Sequence, residues 1–311
     1  MSPRFSTSAD VSNSDSALEA VFQWFREADP DGSRFARVFR QTFDQLYDGQ
    51  RTGRYRWDQL FKTEKTHYGT LIEINLQREF KFEDGDVMDY KIAGHEIDCK
   101  YSASGQWMLP PESLDHLILA SVANDQLSSW SIGIVRATPE NRNAGQNRDH
   151  KGSLSAVGKS RIRWLFKDAP MQPNILLQLP VHHVTQIFSP NSGQGRVNEL
   201  FRLATDMRIS RNIVATVAQQ SDFMKRVRAS GGARTILRPE GYLILGGDYA
   251  GQKAVAKALG TAVPEAGEVV SVRVGPIDHK IENSVELDGI TWHRVGPDEA
   301  SEIPAPLVPG Q

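Results

Sequence analysis

The chain is poor in cysteine. Cys99 is the only one in 311 residues, so no intrachain disulfide forms and no cysteine zinc cluster is possible. A reducing, cytoplasmic setting is the expectation. Long apolar runs are also missing. None approaches the roughly 20 residues that cross a bilayer, and the Ser-rich start, Met1 to Asp15, lacks the apolar stretch of a signal peptide. No membrane partner is expected. There is little net charge, −2 over the whole chain, so global charge does not point to a polyanion, and local charge must carry any such argument. No internal repeat is visible. What the sequence does have is 39% hydrophobic and 24% charged residues, a balance that favours a packed core over disorder. The length suggests two domains.

The stretch richest in chemistry runs from Glu73 to Lys100. Residues from Met88 to Lys100 read as two short strands joined by a turn at Ala93-Gly94. Residues two apart on a strand share a face, so Asp98 and Lys100 emerge on one side and Cys99 on the other. A hairpin brings Asp89 beside Asp98 across the ladder. Two carboxylates and an ammonium on one patch suit Mg²⁺ binding and activation of a water. Upstream, residues 66–80 are ambiguous: Ile72, Ile74 and Leu76 alternate like a strand, whereas Leu71/Ile72, Leu76 and Phe80 fit a helix. Length favours the helix, from which Glu73 can project toward the hairpin.

The remaining chain reads as follows. Residues 1–16 are a disordered lead-in. Leu18, Val21, Phe22 and Phe25 mark a helix that ends at Asp29-Pro30-Asp31-Gly32, and a second helix covers Ser33 to Tyr47. Thr42 to Arg51 is a near-match to the nucleotidyl-transfer motif of DNA ligases, but Leu46 occupies the lysine position and has no nucleophile. The plainer reading is a helix closed by Gly49 as a left-handed cap. Arg51, Arg54 and Arg56 alternate with Tyr55 and Trp57, a pattern that suits phosphate and base contacts and equally a solvated basic loop. Residues 107–111 and 138–151 read as loops, 117–123 and 129–135 as buried strands, 154–166 as a helix and 174–179 as a short strand. The composition shifts near Asp168 to Pro173. The expected division is therefore a domain over 1–168, a linker over 169–175 and a second domain over 176–311.

In the second domain, 181–188 and two further patterns around Val197–Ala204 and Ile213–Ala218 read as helices. Ser221-Asp222 is a cap candidate for a basic helix, Phe223 to Arg228. Arg234 to Leu245 reads as a hairpin around Pro239-Glu240-Gly241. Helix, turn, basic helix and hairpin make a helix-turn-helix with a wing. From Arg196 to Arg238 nine basic residues stand against three acidic ones, a concentration of positive charge typical of a nucleic-acid site. Lys225, Arg226, Arg228, Arg234 and Arg238 are the candidate contacts. A soluble helical module with a basic face is the plainer alternative. His95-Glu96 begins like a zincin motif, but Cys99 stands where the second His belongs and a hairpin is not the helix that motif requires.

Asp-x-Lys on a strand is common, and a salt-bridged surface hairpin accounts for it equally well. With Asp89 nine residues earlier, Glu73 on the preceding helix and strands following, helix, hairpin and strands resemble the core of the PD-(D/E)xK nuclease class. The run from Asp44 to Lys100, the segment Trp107 to Ser113, Arg196 to Arg202 and Ile213 to Leu245 together resemble the NaeI family of type IIE restriction endonucleases, over most of the chain after the lead-in. The sequence departs from the family pattern at Tyr68 and across 138–166.

That resemblance implies a mixed α/β fold with an N-terminal PD-(D/E)xK domain and a C-terminal domain carrying a CAP-like winged helix-turn-helix. It implies a homodimer that cleaves double-stranded GCCGGC in a Mg²⁺-dependent reaction, stimulated by a second DNA copy on the C-terminal domain. The family's catalytic set falls on Glu73, Asp89, Asp98 and Lys100. The expected metal ligands are Asp89, Asp98 and the Cys99 carbonyl, with Glu73 helping to hold a second metal or a water. The rival readings are a DNA-binding regulator without cleavage and a nicking repair nuclease of the same fold.

Overall fold

The computed structural model describes residues 15–146, 151–296, 299 and 303–308. The chain divides into two compact units, Met1–Thr42 with Thr66–Gln172, and Phe43–Lys65 with Pro173–Gln311. The last of the three boundaries lies between Gln172 and Pro173. Residues 43–65 group with the later chain, which a single linear division at 168 does not contain. The expected lead-in lies almost wholly outside the described residues; Asp15 and Ser16 already belong to a helix start.

The first unit is a six-stranded mixed sheet with helices. Its strand order is Glu83–Asp84, Tyr90–Ile92, His95–Tyr101, Leu117–Asn124, Ser129–Arg136, Arg163–Pro170. All neighbours are antiparallel except His95–Tyr101 and Leu117–Asn124, which run parallel. The two middle strands are buried almost throughout, which explains why their sequences lack a clean alternation. The helix Ser16–Ala28 is capped by Asp15, whose carboxylate accepts the Leu18 N–H at 3.0 Å. It packs with Ser33–Tyr47 and Lys62–Phe80 through an aromatic cluster. Phe35 lies 4.7 Å from Phe80 and Phe39 lies 5.3 Å from Trp130 between ring centroids, distances at which aromatic pairs add to simple burial. Lys62–Phe80 is a helix for its full length, with Tyr68, Leu71, Ile72, Leu76 and Phe80 buried.

Three expectations in this unit give way. Residues 154–166 form only a short helix, Ala156–Ser160, before Arg163–Pro170 joins the sheet edge beside Ser129–Arg136. Pairing to an open sheet edge outweighs a helical pattern of modest length. Among the described residues, neither 138–146 nor 107–111 is a plain loop: Arg142–Gln146 pairs with Gly152–Leu154, which in turn pairs with Met108–Leu109. Polar composition hides these strands because their partners are themselves short.

The second unit is built on Glu268–Ile277. This strand pairs antiparallel with Ile209–Ser210, Tyr242–Gly246 and Ile290–Arg294, and the last pairs with Ser284–Leu287. The helices Val181–Phe188, Gly193–Leu203 and Arg211–Ala218 share a core with one face of it. Ser192 and Ser210 cap the latter two. Ala250–Ala258, Trp292 and the tail residues Ala305 and Val308 make a second cluster.

Several expectations here are also replaced. Asn174–Leu179 is a helical turn, Ile175–Gln178, because the Asn174 side chain accepts the Leu176 N–H at 3.2 Å; a four-residue apolar run does not itself discriminate strand from helix. Phe223–Arg226 is a single 3₁₀ turn. The Asp222 carboxylate does not cap it, since it faces Lys225 and Arg226 at 3.2 and 3.4 Å instead. Arg234 belongs to a helical turn, Ala233–Ile236, and not to a hairpin strand; Tyr242–Gly246 pairs with Glu268–Ile277. The expected wing at 234–245 is therefore absent. At the end of Ser33–Tyr47 it is Asp48, with φ +46, that adopts the left-handed conformation. Gly49 is required for a different reason: a Cβ there would lie 2.1 Å from Thr216 Oγ1.

Candidate active site

The hairpin that carries the acidic residues is closed by Ala93 and Gly94, with φ +50 and +80. Positive φ at both positions suits a two-residue turn matching the twist of the flanking strands, and Ile92 pairs with His95 across it. Tyr90 pairs with Ile97, so the next position outward sets Asp89 opposite Asp98. Asp89 itself stands one residue before the strand. Its Oδ2 accepts the Cys99 N–H at 2.7 Å, which ties it to the ladder nonetheless. His95–Tyr101 is held on its other side by Leu117–Asn124, Lys100 beside Ala120. An interior strand gives its side chains a fixed platform.

Lys100 gathers the acids. Its Nζ donates to Asp98 Oδ1 and to the Cys99 carbonyl, the latter at 3.1 Å, and sits 3.8 Å from Asp89 Oδ2. Glu73 comes from the long helix Lys62–Phe80, half-buried at the border of its apolar face. The Tyr90 hydroxyl donates to the Glu73 carbonyl at 2.6 Å, fastening that helix turn to the hairpin. The four predicted residues are therefore electrostatic neighbours: Asp89 and Lys100 both act on Glu73.

Burial dominates the electrostatics. Asp98 is only 4% exposed, and desolvation pushes its carboxyl up to about 7 although the Lys100 ammonium opposes the rise. Burial also raises Glu73, with the Asp89 charge adding to the effect. For Lys100 burial disfavours the ammonium, but Asp98 and Asp89 overcome it and hold the group above its ordinary value. Burial, with the Asp89 and Glu73 charges adding to it, pushes the Cys99 thiol up, so Cys99 contributes a backbone carbonyl and no nucleophile.

Sequence reasoning missed two residues that shape the site. Glu96 accepts the backbone N–H groups of Asp86, Val87 and Met88 at 2.9, 3.2 and 2.8 Å. It thereby fixes the loop that delivers Asp89. Gly85 permits this, since a Cβ there would lie 2.1 Å from the Met88 carbonyl oxygen. The signal was available: Glu96, Asp98 and Lys100 alternate along one strand. Tyr90 is the other, through its bond to the Glu73 turn.

Among the described residues no group of three His, Cys, Asp or Glu is arranged as a ready-made metal site. Yet Asp98 Oδ2 is buried without a hydrogen-bond partner, a costly state for a carboxylate oxygen. It lies in a set of hard oxygen donors with Asp89 and the Cys99 carbonyl, the donor chemistry Mg²⁺ prefers. The residues present fit such an ion.

The expected DNA contacts are dispersed, all in the second unit. Arg54 is engaged bidentately by Glu64 at 2.8 Å for both contacts. Arg56 lies 3.3 Å from Asp58, while Arg51, 83% exposed, reaches Asp48 at 3.5 Å. Lys225 and Arg226 share Asp222, and Arg226 also donates to Gln220 at 2.7 Å. Arg228 is exposed. Arg234 donates to Gln252 at 3.0 Å and Arg238 to the Ala305 carbonyl at 2.5 Å.

Two comparisons with known proteins concern the chain as a whole. The sequence model of the family described as "Restriction endonuclease NaeI" matches residues 19–302. The "Type II restriction enzyme NaeI" of Lentzea aerocolonigenes is 50% identical over 304 residues, which cover 95% of this chain and 95% of that protein.

Proposed function

The chain belongs to the restriction endonuclease NaeI family and is a type II site-specific deoxyribonuclease, and from that premise we propose that it cuts both strands of GCCGGC DNA in a Mg²⁺-dependent reaction carried by Glu73, Asp89, Asp98 and Lys100. The observation that carries this reading is the convergence of Asp89, Asp98 and Lys100 on one hairpin, with a buried Asp98 oxygen lacking a partner.

Asp89, Asp98 and the Cys99 carbonyl would hold the ion, with Glu73 behind them. Bound there, Mg²⁺ supplies positive charge to the scissile phosphate and acidity to a nearby water. Asp98, raised to about 7, must be ionised to serve as a ligand. The Asp89 side chain is kept in place by the Cys99 N–H. Lys100, anchored by Asp98 and the Cys99 carbonyl, orients the attacking water and neutralises charge that develops on the phosphate. Water attacks phosphorus, one P–O bond of the backbone breaks, and the leaving oxygen takes a proton. No covalent enzyme intermediate is required.

The first unit is read as a PD-(D/E)xK nuclease domain, supported by the helix, hairpin and strands around Asp98-Cys99-Lys100. The second is read as a CAP-like DNA-binding domain for an effector copy of the site, in a cytoplasmic homodimer. Its support is the basic excess from Arg196 to Arg238. With Phe223–Arg226 only a turn, the helix pair of that reading rests on Gly193–Leu203 and Arg211–Ala218, which pack together in one core. Effector occupancy stimulates cleavage only if the two states of the enzyme bind it with different affinity. No helix among the described residues is long and apolar enough to cross a membrane.

Incubation of a plasmid bearing GCCGGC sites with the protein, with Mg²⁺ and with EDTA, tests the reading. Discrete linear fragments in Mg²⁺ alone are expected. Nicked circles with no linear product indicate a nicking enzyme, and intact supercoiled plasmid held in a tight complex indicates a regulator.

A further inference from the structure

The second unit contains a cavity of about 280 Å³ whose wall carries three arginines, Arg211, Arg228 and Arg234, with Asp248, Tyr249 and Glu268. The carboxylates are already matched. Arg211 Nη2 lies 2.7 Å from Asp248 Oδ2, and Glu268 Oε2 accepts from Arg208 Nε at 2.5 Å. Among the described residues neither Arg228 nor Arg234 has a carboxylate partner. Arg234 is the unusual one. Its Nε is buried with no hydrogen-bond partner, and its Nη2 meets only the neutral Gln252 oxygen, which also accepts the Gly246 N–H at 2.7 Å. Burial holds this guanidinium below its ordinary value.

A partly desolvated cation without a counter-charge is unfavourable, and here it forms part of a cavity wall. An anion entering the cavity supplies what is missing. The planar fork of arginine matches a tetrahedral phosphoryl group through paired N–H donors. Arg228, exposed at the same cavity, adds a second cation, while Met224, Val227 and the Tyr249 ring offer apolar surface to whatever bears the phosphate. The volume is at the small end of ligand pockets, which run to roughly 300–1,000 Å³. It admits a phosphate or a small phosphate ester, but of a DNA duplex only a phosphoryl group presented at its mouth. We propose that this cavity is a phosphoryl-binding site, with the half-buried Arg234 as its anchor and Arg228 as its exposed arm. The proposal deepens the DNA-facing reading of the second unit in one arm of its test only; the other arm stands whether or not the protein cleaves DNA.

The full chain is titrated calorimetrically with inorganic phosphate and with a deoxymononucleotide 5′-phosphate, and separately with a short duplex lacking GCCGGC. Thermal melts accompany each titration. At ten times the dissociation constant a bound small phosphate raises the melting temperature by about 3–6 °C. Arg234→Met is expected to abolish that rise and weaken binding at least ~10-fold, and Arg228→Ala to weaken it ~3-fold. This result assigns the site to a free phosphate ester. If the small phosphates do not bind but either substitution weakens the duplex and lowers its salt slope by about one unit, the phosphoryl group belongs to the DNA backbone. If both variants bind all three probes like the parent protein, the proposal is overturned. Should Arg234→Met fail to fold, the exposed Arg228→Ala decides alone: unchanged binding in every arm overturns it.

Discussion

The candidate active site of the first unit and the exposed basic residues of the second handle charge in opposite ways. In the first, Asp98 and Lys100 sit on an interior strand, and only 5% and 25% of their side chains are exposed. In the second, Arg51 and Lys225 lie mostly in solvent and rest on nearby acids at 3.5 and 3.2 Å. Buried charges shift their pKa and depend on one another; exposed pairs are worth little and yield readily to a better partner. The first arrangement suits chemistry, which needs groups fixed before the substrate arrives. The second suits a polyanion that replaces weak internal partners and releases counterions.

The sharpest way to break this comparison is to remove the ammonium. Lys100→Ala is expected to reduce single-turnover cleavage by about 10²–10³-fold, the usual loss for one preorganised donor at developing charge. Binding of the DNA in Ca²⁺ or without metal should change less than ~3-fold, because specific binding draws on many contacts. Parallel loss of binding and cleavage in a gel-shift and plasmid assay would remove Lys100 from the chemistry and leave it a structural residue.

Next comes the protonation of Asp98. Its folded value of about 7 lies above the value of roughly 4 expected in an unfolded chain. The folded state therefore binds the proton more tightly. Stability from this group is fully present below pH ~4 and is lost as pH rises to about 7. The size is at most about 4 kcal/mol, with the opposing Lys100 charge already contained in the folded value. Metal-free urea melts across that range should show the decline, and Asp98→Asn should flatten it. Added Mg²⁺ should reverse the decline at neutral pH in the parent protein and not in the variant. A parent protein whose midpoint holds steady from pH 4 to 7 would contradict the burial argument.

Glu96 gives a third, smaller effect. Glu96→Ala leaves three backbone N–H groups ahead of Asp89 without their acceptor. Cleavage is expected to fall about 10-fold, with the half-saturating Mg²⁺ concentration rising several-fold, as for other groups that orient a ligand from behind. Glu96→Gln keeps one oxygen and should recover much of the loss. An unaltered Mg²⁺ dependence in the alanine variant would make Glu96 a stabilising residue only.

These residues also mark what the sequence does and does not disclose. The hairpin was legible because its information is local: a period of two and an Ala93-Gly94 turn fix which side chains share a face. The helix carrying Glu73 was legible from length although its apolar pattern was mixed. The parallel pairing of His95–Tyr101 with Leu117–Asn124 was not legible, since it joins segments with no local signal for each other. Arg163–Pro170 hid in a helical pattern until the sheet edge claimed it. The basic run was visible as charge, but its geometry was not. Asp222 looked like a cap and is instead an ion-pair partner, so the expected helix shrank to a turn. Glu96 was seen only as part of a rejected zinc motif, and its real task depends on a loop folding back onto it.

The smallest predicted effect separates two arginines three residues apart. Arg54 is held bidentately by Glu64, and its side chain is only 18% exposed. Arg51 is 83% exposed and meets one acid, Asp48, at 3.5 Å. If DNA recruits charge that is weakly committed, Arg51→Ala should weaken duplex binding about 2–3-fold and lower the salt slope by close to one unit. Arg54→Ala should leave both nearly unchanged and instead lower the melting temperature by about 2–4 °C, the consequence of leaving Glu64 without its partner. The reverse outcome, with Arg54 governing the salt slope, would mean that DNA draws the guanidinium away from Glu64. Committed and uncommitted cations would then be indistinguishable to the ligand, and exposure in the free protein would not be a guide to which arginines meet the backbone.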